Sequence, residues 1–130
     1  FEDRYNGDLA NGLGNLTARV VTLGEKISPV KIDFKNDLEP EVSKIIDNAF
    51  DHYRRHLEEI KLNEALNNIW ELISFSDKYI NEKAPWKVGD EKKHRQILVN
   101  ACYLVGVLAN MLGPFLPDTS EKIKNQINYP

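Results

Sequence analysis

The sequence predicts an all-α fold, a helical bundle of four main helices plus a short C-terminal one. Three observations carry this. Apolar residues recur at steps of three and four nearly throughout. Prolines fall at the ends of the periodic stretches. One stretch, "ILVNACYLVGVLANML", is apolar almost all round, so it needs other helices to cover it.

The first helix runs from about residue 2 to 26, with Tyr5, Leu9, Leu13, Leu16, Val20 and Leu23 on one face. Gly7, Gly12 and Gly14 cost helix propensity, and close approach of a neighbouring backbone is their expected return. "KISPVKIDFKNDLEP" reads as a loop, with a weak extended signal at "VKIDF". The second helix spans about 38 to 60, with Pro40 in its first turn, where a missing N–H does no harm. Its inner face is Val42, Ile45, Ile46, Ala49, Phe50, Tyr53 and Leu57. The third spans about 63 to 83, with Asn63 as a cap and Leu66, Ile69, Leu72, Ile73, Ser76 and Ile80 inward. Pro85 ends it, because proline disfavours helical geometry in the residue before it. The fourth starts near Asp90, runs to about Leu112, and is stopped by Gly113-Pro114. Asp118 with Glu121 resembles a capping box for the last helix.

The 130 residues suit one domain, residues 1–130. A formal net charge of −3 gives no bulk sign of nucleic-acid binding, so any such binding must come from a local patch. A lone cysteine, Cys102, excludes an internal disulfide, and nothing implies an oxidising compartment. No stretch approaches the roughly 20 apolar residues of a membrane span, and no signal peptide is visible. A cytoplasmic location is the expectation. The chain opens on Phe1-Glu2-Asp3, already in a helical pattern, and reads as a piece of a longer protein or a processed chain.

A second stripe lies on the first helix. Asn11, Asn15 and Arg19 are spaced by four, in a row about 110° from the centre of the apolar face. Asparagine and arginine hydrogen-bond base edges and phosphates well, although such a row is also an ordinary solvated face. Trp86 stands at a helix exit between Lys83 and Lys87. It reads either as an amphipathic plug for the bundle end or as a stacking platform for a base. Trp70, in mid-helix, belongs to the core or its edge.

His52 and His56 share a helix face, but Tyr53 stands where a zincin would place its general base. With no third ligand near in sequence they read as surface histidines, in a solvated basic stretch with Arg54 and Arg55. No metal site is expected. Cys102 reads as a small buried hydrophobe. There is no convincing acid/base pair and no phosphate loop.

"YNGDLANGLGNLTARV", "YINEKAPWKV" and "LANMLGPFLPDTSEKI", in that order over about 5 to 127, resemble the anticodon-binding domain of methionyl-tRNA synthetase. The first block fits class I synthetases of this helical type in general, and the third is shared with valyl, leucyl and isoleucyl enzymes. The Ala-Pro-Trp turn points to methionyl. The resemblance implies a bundle that docks the anticodon loop of methionine-accepting tRNA beside a separate catalytic domain of the same chain. That domain's His-Ile-Gly-His and Lys-Met-Ser-Lys-Ser signatures are absent here, so this chain alone should not charge tRNA. No catalytic residue, metal or cofactor is implied for it, while the parent ligase uses ATP and Mg. The family's asparagine and arginine fall on Asn15 and Arg19 in "GNLTAR", and its proline and tryptophan on Pro85 and Trp86 in "APW". Asn11, one turn before Asn15, extends the row. These residues are implied to read a CAU anticodon, with the tryptophan stacked on its first base. From the periodicity and the lack of an apolar span, a monomer without membrane contact is the expectation. The rival readings are a valyl-, leucyl- or isoleucyl-type domain and a helical protein-interaction domain without RNA contact.

Overall fold

A computed structural model describes residues 2–25, 38–84 and 89–126, with the side chains of residues 2–6, 24, 25 and 91 excepted. Five helices follow in order: α1 (Glu2–Glu25), α2 (Pro40–Glu58), α3 (Leu62–Lys83), α4 (Glu91–Leu112) and α5 (Pro117–Gln126). There is no strand among the described residues, and "VKIDF" lies outside them.

α4 packs on all four other helices. Leu104, Val105, Leu108, Met111 and Leu112 on it are fully buried. By length and composition Lys92–Leu112 would reach a membrane span, contrary to the sequence expectation. Two-thirds of it is buried against the other helices, so it is the core helix of the bundle. Leu9, Leu13, Leu16 and Val20 of α1 complete that core, as their spacing predicts, while the side chain of Tyr5 lies outside the described residues.

Several local expectations change. Val42, Ile46 and Tyr53 of α2 are buried, but Phe50 is 44% exposed. It sits in an open groove beside Tyr103 and Val107 of α4, at the edge of the inner stripe. Gly12 does meet a neighbour, but it is a side chain: a Cβ there would lie 3.3 Å from the indole of Trp70. At Gly7 and Gly14 nothing lies within 4 Å, so no close backbone accounts for them. Asn63 is no cap. α3 already begins at Leu62, because the turn from α2 reverses within three residues, with Lys61 N–H donating to the His56 carbonyl at 2.7 Å. Asp118 is likewise inside the first turn of α5 and not ahead of it, since Pro117 takes the first helical position.

Gly113 stays right-handed, so it is not a left-handed cap. A Cβ there would press on the Asn110 carbonyl at 3.3 Å, and the Ser120 hydroxyl donates to the Ala109 carbonyl at 2.6 Å near the end of α4. Pro40 opens α2 as expected, and Asp90 caps α4 by accepting from the Lys92 N–H at 3.0 Å.

The turn after α2 is strained. Ile60 has φ of 58° and is 80% exposed, so a β-branched residue occupies left-handed backbone without any burial in return. Ile60→Gly should raise the thermal midpoint, because about 1–2 kcal/mol of left-handed strain is relieved against a smaller entropy loss. A lower midpoint would show that the isoleucine contributes by contact.

The Tyr53 hydroxyl donates to the Met111 carbonyl inside the core, and burial pushes its pKa up to about 12. The unfolded chain ionises its tyrosine near pH 10, so the native state should lose stability as pH rises from about 10 towards 12. Tyr53→Phe should be less stable at neutral pH and show a shallower alkaline loss, measured by denaturant unfolding at each pH.

Candidate nucleic-acid interface

Asn15 and Arg19 are one turn apart on α1, about 6 Å along its axis. Asn11 and Asn15 are exposed and make no hydrogen bond among the described residues. Arg19 is different. It is half-buried, and its Nη2 donates to Asn81 Oδ1 of α3 at 2.6 Å. Its Nη1 lies 3.6 Å from Asp77 Oδ1, one turn earlier on α3. The guanidinium is therefore fixed across two helices, with its charge balanced by a carboxylate. A guanidinium has five donors in one plane, so further N–H groups remain for a ligand.

The same end of α3 is latched to α2. Tyr79 donates its hydroxyl to Glu39 Oε1 at 2.9 Å, and Lys83 Nζ lies 3.8 Å from Glu39 Oε2. The ammonium also sits 5.9 Å over the Tyr79 ring. Burial first, and then the Glu39 carboxylate, push the Tyr79 pKa well above the ordinary tyrosine value, so the hydroxyl remains a donor. Glu39 N–H donates to Asn100 Oδ1 of α4 at 2.8 Å. α2 and α4 thus hold the end of α3, whose last turn carries Asn81. The helix ends there because Ala84 turns left-handed, φ 43°, with its N–H still bonded to the Ile80 carbonyl. Departure from helical geometry just before Pro85 is as the sequence predicts. Pro85, Trp86 and Lys87 themselves lie outside the described residues.

Asn81, Asp77 and Glu39 were missed by the sequence reading. Asp77 and Asn81 carry the same i, i+4 signal that marked Asn15 and Arg19. Only packing shows that the two rows face each other.

Other candidates have structural roles. Arg54 and Arg55 are exposed and both pair with Asp51, at 3.4 and 2.9 Å, which holds that carboxyl below its usual range, Arg55 first. His52 is exposed. His56 is not a free surface group: its Nδ1 is 2.7 Å from Asn68 Oδ1, because Asn68 is buried and needs a partner. Cys102 is half-buried, and burial pushes its thiol up to about 11. Trp70 lies at the core edge.

Residues 33–130 match the family described as the anticodon binding domain of methionyl tRNA ligase. The chain belongs to that family. The match begins after α1, but relatives cover α1 as well. The methionine–tRNA ligase of Clostridium acetobutylicum is 38% identical over 135 residues, covering 98% of this chain and 21% of that protein. The enzyme of Methanopyrus kandleri is 32% identical, covering 99% of this chain and 20% of its own length. Among solved structures, apo methionyl-tRNA synthetase of Mycobacterium tuberculosis superposes with a TM-score of 0.75 at 26% identity, over 95% of this chain and 27% of that one. The chain thus spans about a fifth of the length of the curated relatives it matches. As a member of the family, this bundle is an anticodon-binding domain, and its all-α architecture agrees with that of the solved relative.

Proposed function

We propose that this domain binds the anticodon loop of methionine-accepting tRNA and reads CAU with Asn15, Arg19, Asn11, Pro85 and Trp86. It serves a longer chain whose catalytic domain ligates methionine to that tRNA with ATP and Mg. The observation that supports this most is the Arg19 guanidinium, fixed by Asn81 and Asp77 on the α1–α3 face. A fixed guanidinium beside exposed Asn15 and Asn11 offers directed donors and acceptors, which is what reading base edges requires. It also meets the difficulty raised by the acidic composition. With Asp77 beside it, Arg19 is not a bare cation for phosphates, and three bases can be read by hydrogen bonds and stacking.

The test is binding of this chain to a methionine tRNA and to the same tRNA with a changed anticodon. Strong preference for the CAU transcript is expected. Equal binding of both would overturn the anticodon reading, and no binding at low salt would favour a protein-interaction role.

A further inference from the structure

We infer that Asn81 is a positioning residue for anticodon discrimination, acting through Arg19 and not by touching the RNA. The inference rests on the reading above, in which Arg19 meets the bases.

Arg19 has a long, half-buried side chain on α1. Left alone, such a side chain samples many rotamers, and ordering it on binding costs free energy. Two groups on α3 remove that freedom. Asp77 supplies charge, but at 3.6 Å, with the two side chains 39% and 46% exposed, solvent screens the pair. A carboxylate at this distance favours a nearby guanidinium without fixing its plane.

Asn81 is the sharper constraint. Its Oδ1 accepts from Nη2 at 2.6 Å, which is hydrogen-bonding range and requires a donor direction. The Asn81 hydrogen bond on Nη2 sets the direction of the guanidinium, and the looser Asp77 charge near Nη1 biases it to the same side, where the ion pair alone would leave it free to swing. Asn81 can do this because its own backbone is fixed. It lies in the last turn of α3, held by the Tyr79–Glu39 and Lys83–Glu39 contacts. Directed bonds to the wrong base edge are lost, whereas an unaimed cation tolerates any anticodon.

The test is a double-mutant cycle on the chain as it stands, read as affinity for the CAU and changed-anticodon tRNAs. Asn81→Ala should lower the CAU preference by about threefold to tenfold, the scale of one net hydrogen bond. In an Arg19→Ala background the same substitution should have no further effect, since its partner is gone. Asn81→Asp, which keeps an acceptor for Nη2, should restore most of the preference. Additive losses from Arg19→Ala and Asn81→Ala would overturn the inference, as would an Asn81→Ala chain that discriminates normally. A weaker preference explained by a fallen thermal midpoint would also overturn it. If Arg19→Ala alone leaves discrimination untouched, the failure belongs to the anticodon reading itself.

Discussion

Arg19→Ala should reduce affinity for the CAU tRNA by about tenfold to a hundredfold, while Arg54→Ala should change it by less than about threefold. Both residues carry the same charge, and their surroundings make the difference. Arg54 is a solvated side chain on α2, 3.4 Å from Asp51, which also pairs with Arg55. Its loss removes at most a screened attraction for phosphate. Arg19 is oriented by two partners on another helix, so the entropy of ordering it is already spent before RNA arrives. Its contacts to bases would be directed and charge-assisted, worth about 1–3 kcal/mol for a good bidentate pair. The measurement is equilibrium binding at two salt concentrations. The Arg19 deficit should persist at the higher one. Equal losses for the two variants, vanishing together as salt rises, would mean that Arg19 acts only as a point charge.

The bundle was legible because its signal is distributed. Leu9, Leu13, Leu16 and Val20 need only a repeating spacing to declare one buried face, and all four are buried. The helix ends were less legible where the decisive residue was unexpected. Asn63 has the right chemistry for a cap, but Ile60 turns the chain first, and nothing in the propensity of isoleucine announces a left-handed backbone. Pro40 and Asp90 were read correctly because their constraints are local. The candidate site divides in the same way. The Asn11–Asn15–Arg19 row is a property of one helix and is visible in the sequence. The contact between Arg19 and Asn81 joins residues 62 apart, and it exists only because α1 and α3 pack side by side. Glu39 reads as a loop acid before Pro40, and its role as a tie between α2, α3 and α4 comes from packing alone.

Trp86→Ala should lower tRNA affinity by about tenfold to a hundredfold and leave the bundle folded. Stacking on an aromatic face is worth about 1–3 kcal/mol per base, which sets that range. The reason to expect a stacking role lies in the sequence around it. A tryptophan directly after Ala-Pro, just past the end of a helix and followed by Lys87, has in sequence the neighbours of a stacking platform for an RNA base. α3 ends at Lys83, with Ala84 left-handed at the residue before Pro85, and the end of the helix is latched by the Tyr79–Glu39 bond. Every base has a π-face, so stacking gives affinity more than choice. Trp86→Ala should therefore weaken the CAU and changed-anticodon tRNAs alike, whereas Arg19→Ala should weaken mainly the first. Trp86→Phe, with a smaller ring, should retain part of the binding. A tryptophan that plugs the bundle end gives the opposite order, because removing a buried indole creates a cavity worth about 3–5 kcal/mol. In that case Trp86→Ala would melt many degrees lower, and its tRNA affinity, measured well below the melt, would be normal. Thermal unfolding and binding on the same preparation separate the two. A destabilised variant with normal affinity at low temperature would end the stacking role.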